Sequence, residues 1–421
     1  MLQIENLSKS YRLKDREISA LKGISFSTRP GEILGVVGKS GGGKSTLMKI
    51  LRGMEDFDSG RIVMDGIAIT PSCSPEVKRA QMALTAIHLQ RDFALWTESA
   101  LMNVVRRVYS RKTGYEVLPI PEDPDYNQMY DEAMYYLRLV GLEKKANHLA
   151  TILSGGEKQR LIIARQLAKK PKILLLDEPA TMACPATKQE VLDAIKNVRR
   201  ELNLTIVVVS HLPEIHRYLA DRLIWLENGE IVADGKPEQV LEKFMAGIGE
   251  LAPLAARPHA EPLIRVRDLS KRCCLVSTGE VLNVLAMKNL NLDINEGEIT
   301  SIIGNSGGGK TTLLKIMQGV RLPDNGSVSY RHDGKWVDML SYSPERMNVR
   351  RTLGVMYQEF ALFAGETIID QIAYQLGVKG THVIEHARAI AEEMGISDKV
   401  LDAIYTMTDM SEEDAKAALE A

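Results

Sequence analysis

Gly38-Lys39-Ser40-Gly41-Gly42-Gly43-Lys44-Ser45-Thr46-Leu47 decides the fold of this chain of 421 residues. The stretch fits the spacing G-x4-G-K-[ST], and each residue type follows from what the segment must hold. Glycines let successive backbone N–H groups turn into one concave nest. The nest opens onto a helix N-terminus, whose partial positive charge favours an anion. Lys44 then places a cation on the outer phosphates of a nucleoside triphosphate, and Ser45 offers a hydroxyl to magnesium. Gly38, Ser40, Gly41, Gly43 and Thr46 complete the cradle. The apolar run Ile33-Leu34-Gly35-Val36-Val37 before it reads as a buried strand, and the residues after it as a helix.

The stretch returns at Gly304-Asn305-Ser306-Gly307-Gly308-Gly309-Lys310-Thr311-Thr312-Leu313. Its preceding apolar run, residues 299–303, is again predicted as a strand. Glycine-anchored turns are expected at Asp58-Ser59-Gly60 and Asp324-Asn325-Gly326. Farther on, Gln90-Arg91-Asp92-Phe93-Ala94-Leu95 is echoed by Gln358-Glu359-Phe360-Ala361-Leu362. The chain is therefore read as a tandem duplication. Residues 1–245 form a complete nucleotide-binding domain, residues 246–262 an Ala-, Gly- and Pro-rich linker, and residues 263–421 the first part of a second domain. Gly304, Ser306, Gly307, Gly309, Lys310, Thr311 and Thr312 make the second phosphate site, with Thr311 on its metal.

Beyond Leu153 the first copy carries features with no counterpart in the second. Ile173-Leu174-Leu175-Leu176-Asp177-Glu178 reads as a buried strand ending in two carboxylates. Asp177 can hold magnesium, and Glu178 can polarise an attacking water. The second copy reaches Ala421 without such a strand, so each site lacks a part and apolar edges are expected to lie exposed there. A fragment of a longer protein is the simplest reading, and a homodimer using two first domains the other.

Composition narrows the function classes. The formal net charge is -2, which gives no general attraction to nucleic acid or anionic lipid, and no nucleic-acid partner is expected. No apolar run approaches the roughly 20 residues that span a bilayer, and no basic start leads into an apolar stretch. The four cysteines form no CxxC pair, and a cytoplasmic location with reduced thiols is expected.

Leu153-Ser154-Gly155-Gly156-Glu157-Lys158-Gln159-Arg160, just before the carboxylate strand, resembles the signature motif of ABC ATPases. With Gln90, and with His211 after the apolar run 206–210, five motifs stand in that family's order. The resemblance implies an α/β fold: a P-loop NTPase of ABC type with a mixed-sheet core and a helical signature subdomain, here duplicated with an incomplete second copy. It implies an ATP hydrolase using ATP and magnesium, with nucleotide-binding domains paired head to tail, within one chain or between two. ATP would lie between one domain's phosphate loop and the Ser154-Gly155-Gly156 backbone of the other. Gln90, and Gln358 in the second copy, would sense the γ-phosphate and touch its metal. His211 would contact the γ-phosphate, and Tyr11 would stack on adenine, where the second copy has Cys273. Two departures from the family stand out. Cys184 occupies the place of the usual aspartate after Glu178-Pro179, and residues 109–127 insert a polar, proline-containing stretch in the helical region that faces a partner.

Within ABC ATPases the closest likeness is to the ATP-binding activation components of the methyl-coenzyme M reductase system, the component A-2 type. It rests on the phosphate loop, on Leu51-Arg52-Gly53, on the unusual Glu178-Pro179-Ala180-Thr181-Met182-Ala183-Cys184-Pro185, and on the acidic, Met-containing residues 406–414. It implies ATP-driven work on methyl-coenzyme M reductase and its activation proteins. An importer subunit that pairs with a membrane permease is the alternative, and a soluble translation factor a third reading.

Overall fold

A computed structural model describes residues 1–13, 16–88, 95–180, 185–246, 261–277, 280–304, 308–341 and 343–356. The chain divides into two units, Met1–Pro253 with Leu275–Leu282, and Leu254–Cys274 with Asn283–Ala421.

The first unit runs β1 (Leu2–Leu13), β2 (Arg16–Ser27), β3 (Ile33–Val37), α1 (Lys44–Arg52), β4 (Ser59–Met64), β5 (Ile67–Ile69), α2 (Pro75–Leu84) and β6 (Thr85–His88). It continues through α3 (Ala100–Thr113), α4 (Tyr126–Leu139), α5 (Gly155–Leu167), β7 (Ile173–Asp177), α6 (Pro185–Leu202) and β8 (Thr205–Val209). It closes with α7 (Pro213–Leu219), β9 (Arg222–Glu227), β10 (Glu230–Gly235) and α8 (Pro237–Met245). Two sheets result. One, in the order β2-β1-β4-β5, is antiparallel. The other, β10-β9-β3-β8-β7-β6, is parallel except for β10, which returns on β9 through Asn228-Gly229, both at positive φ as a two-residue hairpin of this kind requires. β3 and β8 are buried at every position, as strands covered on both faces must be, so their apolar runs show no alternation. The helices α3, α4, α5 and α6 share a core with β7 and β8 through Val104, Leu137, Leu161, Leu174, Ile195 and Val208.

This parallel order fixes the site. The carboxyl ends of β3, β7 and β8 lie side by side, with Val36 opposite Val209 and Asp177 opposite Val209 on the other edge of β8. Three segments distant in sequence therefore emerge on one rim: the phosphate loop, Asp177-Glu178 and Ser210-His211. The stretch 109–127 bridges two helices. Its ends are the last turn of α3 and the start of α4, and only the residues between them are irregular.

In the second unit β11 (Pro262–Ser277), β12 (Glu280–Asn295), α9 (Lys310–Met317), β13 (Asn325–His332), β14 (Lys335–Asp338) and α10 (Pro344–Thr352) follow in order, with the sheet β12-β11-β13-β14. Its register copies the first unit's. Ser8 faces Ser59 and Ser270 faces Asn325, each after a shift in pairing. Asn6 and Asp268 hold positive φ, and Gly60 and Gly326 bulge against them. The expected turns at these glycines are thus the bulged starts of β4 and β13. The Asp58 carboxylate accepts from the Ser10 amide at 2.6 Å, as Asp324 does from Arg272.

One expectation fails. Residues 299–303 form no strand, and Ile299 and Ile303 are 75% and 92% exposed. The reason is pairing. Their counterpart β3 is held between β8 and β9, and no counterparts of those strands occur among the described residues of the second unit. An apolar run without neighbours leaves its ladder groups unpaired and does not stay extended in a sheet. Among the described residues no helix is long and apolar enough to cross a membrane.

Candidate functional site

The phosphate loop of the first unit is built around glycines at places that a side chain would crowd or strain. A Cβ on Gly38 would stand 1.9 Å from the Leu226 carbonyl oxygen, and one on Gly43 would stand 2.4 Å from that of Ala20. Gly41 and Gly43 also hold φ of 81° and 99°, which side chains disfavour. Lys44 opens α1 and is 6% exposed. Its ammonium donates to the carbonyls of Gly38 at 2.7 Å and Lys39 at 2.8 Å, folding the loop over it. Burial pushes its pKa down, opposed by the charges of Glu178 and Asp177. Ser45 points to solvent beside it. Tyr11 on β1 donates its hydroxyl to Thr46 Oγ1 at 3.4 Å, which places the aromatic ring beside the first turn of α1.

Asp177 and Glu178 sit at the end of β7. Burial raises the pKa of Asp177, and the Glu178 carboxylate raises it further, while Lys44 and His211 pull it back. Two carboxylates held together out of water are a site short of positive charge, which a cation would relieve. Glu178 is 3% exposed and takes the left-handed backbone conformation at φ 52°, its N–H bonded to the Val209 carbonyl at 2.9 Å. Its carboxylate is held from both sides: Oε1 accepts from the His211 amide at 2.7 Å, and Oε2 from Ser210 Oγ at 3.1 Å. The His211 imidazole is half exposed, its Nε2 3.6 Å from the same Oε1. Ser210 was not singled out in the sequence; its place before His211 at a strand end was the available signal.

The residues fit a triphosphate with magnesium. The glycine cradle is space that any side chain would fill, with a lysine ammonium at its floor. Among the described residues no cluster of three or more His, Cys, Asp or Glu side chains could hold a metal. An ion here would take Ser45, Asp177, phosphate oxygens and water, the sparse protein ligation that suits magnesium.

Ser154 caps α5 reciprocally: its hydroxyl accepts from the Glu157 amide at 3.3 Å and its own amide donates to the Glu157 carboxylate at 2.8 Å. Gly155 and Gly156 form the first turn. A Cβ on Gly156 would stand 2.1 Å from Thr187 Cγ2 on α6.

The second phosphate loop is described at Gly304 and from Gly308 onward. Lys310 donates to the Gly304 carbonyl at 2.6 Å, and Gly309 at φ 86° starts α9, repeating Lys44 and Gly43. Among the described residues nothing stands within 4 Å of a Cβ placed on Gly304, where one on Gly38 meets Leu226. Thr311 is exposed and Thr312 half-buried. Gln90, Cys184, Ser306, Gly307 and Gln358 lie outside the described residues, as does the stretch 406–414, and the side chain of Cys273 on β11 is likewise not described.

Comparison with known proteins shows the family. The family described as ABC transporter matches residues 21–181 and 287–416, once in each copy. An uncharacterized ABC transporter ATP-binding protein of Methanocaldococcus jannaschii is 45% identical over 426 residues, covering 100% of this chain and 72% of its own. A phosphonates import ATP-binding protein of Bdellovibrio bacteriovorus is 36% identical over 249 residues, covering 59% of this chain and 93% of its own. Among solved structures, a dimeric post-hydrolysis state of an ATP-binding cassette bound to ADP and Pi is 28% identical, over 56% of this chain and 99% of that one, with a TM-score of 0.48. The chain belongs to the ABC transporter family of ATP-binding proteins, an ATP-hydrolysing family, and carries its cassette in duplicate.

Proposed function

We propose that the chain couples ATP binding and hydrolysis to conformational work on a partner protein complex, in the manner of the activation ATPases of methyl-coenzyme M reductase. The observation that carries the ATPase part is the convergence of Lys44, Asp177, Glu178 and His211 at the carboxyl rim of one sheet. Lys44 and the Gly38–Gly43 backbone neutralise and orient the phosphates. Ser45 and Asp177, with Gln90, hold magnesium, which would supply charge neutralisation of the phosphates when bound. Glu178 orients and polarises the attacking water, and His211 contacts the terminal phosphate. Tyr11 stacks on adenine. Gly304, Ser306, Gly307, Gly309, Lys310, Thr311 and Thr312, with Gln358, serve a second site. Ser154, Gly155 and Gly156 close over the nucleotide of a facing cassette, so ATP favours the closed pair and its hydrolysis the open one.

The partner reading is supported by the resemblance of the phosphate loop, Leu51–Gly53, Glu178–Pro185 and residues 406–414 to those activation components, and by the tandem arrangement. The importer reading has its own support in the first-copy identity to a phosphonates import protein. The test is to add Mg-ATP to the Glu178→Gln chain and identify its bound partners in anaerobic extracts of the source cells. Subunits of methyl-coenzyme M reductase are the expected catch; a membrane permease would replace this reading with the importer one.

A further inference from the structure

α7 carries a histidine that the chemistry above does not use. His216 is fully buried. Its Nε2 stands 2.9 Å from the carbonyl oxygen of Ser210, which can only accept, so Nε2 bears the hydrogen. Nδ1 then carries no hydrogen, and among the described residues no hydrogen-bond partner reaches it. Burial lowers the pKa of this imidazole. The Ser210 carbonyl, Glu178 and Glu214 oppose that, and His211 adds to it. These are the groups that face it from α7, from the end of β8 and from the end of β7.

The strand behind the ring has been shaped to admit it. β3 is apolar at every position but Gly35, and a Cβ there would stand 2.6 Å from His216 Nδ1 and 2.7 Å from Leu223 Cδ1. Glycine weakens a strand interior and is found where something must approach closely. Here the ring of His216 is what approaches, and β3 runs straight into the phosphate loop at Gly38.

The carbonyl that His216 holds belongs to the Ser210–His211 peptide. The N–H of that same peptide donates to Glu178 Oε1 at 2.7 Å. A peptide unit is planar, so its C=O and N–H turn together. Pinning the oxygen therefore pins the hydrogen. A plane left free to tip would move the donor away from Glu178 and re-aim His211, whose Cα is bonded to it.

We infer that His216 is a positioning residue for ATP hydrolysis, acting through the Ser210–His211 peptide to hold the Glu178 carboxylate in its working orientation. This rests on the reading of Glu178 as the group that polarises water.

The test compares His216→Ala and His216→Gln in the full chain, measuring melting temperature, Mg-ATP affinity and kcat. His216→Ala should bind Mg-ATP within about twofold of the parent and hydrolyse it about tenfold more slowly, the scale of a misplaced catalytic group. His216→Gln, which can present an amide N–H where Nε2 stands, should recover kcat to within about threefold. An alanine variant with unchanged kcat would overturn the inference, as would a loss that glutamine does not recover. Nitrogen NMR of the histidine rings in the parent chain gives a second readout that needs no foldable variant at position 216. The His216 resonance should report an Nε2–H tautomer and shift in Glu178→Gln; an Nδ1–H tautomer or an unmoved resonance overturns the inference. If Glu178→Gln hydrolyses ATP normally while that shift is seen, the assignment of Glu178 fails and the coupling to His216 does not.

Discussion

His211 meets Glu178 twice at one oxygen: its amide donates to Oε1 at 2.7 Å, and its imidazole Nε2 stands 3.6 Å from the same atom. Together with Ser210 Oγ on Oε2, this leaves a nearly buried carboxylate whose direction is set by its neighbours. Replacing it by the isosteric amide keeps the shape and removes the base. Glu178→Gln should lower steady-state hydrolysis by about 100-fold or more while ATP binding stays within about threefold. Ser210→Ala, which removes only the second donor, should lower kcat severalfold. Phosphate release and nucleotide titration measure both; a Glu178→Gln chain that still turns over would remove Glu178 from the mechanism.

The two lysines of the phosphate loops are not equivalent. Lys44 is buried, 6% exposed, with its ammonium on the carbonyls of Gly38 and Lys39, whereas Lys310 is only half-buried at the start of α9. Lys44→Ala should weaken binding of a fluorescent ATP analogue about tenfold or more. Lys310→Ala should leave the tighter class of binding intact. Equal losses in the two variants would contradict the asymmetry.

Tyr11 sits beside Thr46 with its ring within 5.2 Å of the Lys9 ammonium. Stacking on a base is worth on the order of 1 kcal/mol, so Tyr11→Ala should weaken ATP about fivefold and Tyr11→Phe should not. The loss should be smaller for inorganic triphosphate, which has no ring to stack. A similar loss for both ligands would mean that Tyr11 shapes the loop instead.

At Gly156 a methyl group would collide with Thr187 Cγ2 at 2.1 Å. Gly156→Ala should therefore displace the start of α5 from α6 and destabilise the chain by roughly 1–3 kcal/mol. Shortening the obstacle in Gly156→Ala/Thr187→Ser should return part of that loss. Denaturant unfolding of the two single variants and the double variant measures the coupling, and strict additivity would refute the contact.

Lys169, after α5, titrates at about 7: burial lowers it, and Arg107, Arg52 and Arg165 lower it further against the opposing pull of Glu116. An unfolded lysine titrates near 10.4. The folded value is the lower one, so holding the charged form costs stability fully below about pH 7, and the cost fades as pH rises toward about 10. Lys169→Met should stabilise the chain at pH 6–7 by roughly 1–2 kcal/mol and hardly at all near about pH 10. A gain independent of pH would assign the effect to packing.

Much of the site was legible because its residues are neighbours in sequence. The phosphate loop, the cap at Ser154 and the acids after β7 each fit within one turn or strand end, where spacing alone dictates geometry. Ser210 on Glu178, and His216 beneath Gly35, were not legible, since their contacts cross from one strand to another and no spacing encodes them. The run 299–303 was misread for the complementary reason. Its composition matches β3, but a strand of a parallel sheet is made by its neighbours.

The pairings of the first unit also set an order of assembly. β1 finds β2 across a short hairpin, while Ile33 on β3 must wait for Ile206 and Leu34 for Arg222. Contacts so far apart in sequence form late, because closing the intervening loop comes first. As the chain leaves the ribosome, at about 5–20 residues per second, the antiparallel sheet can close while β3 stands unpaired for roughly ten seconds or more. During that interval the apolar run before Lys44 is as bare as Ile299 and Ile303 are in the second unit. The apolar strand that leads into the phosphate loop is thus covered only once β8 and β9 have been made.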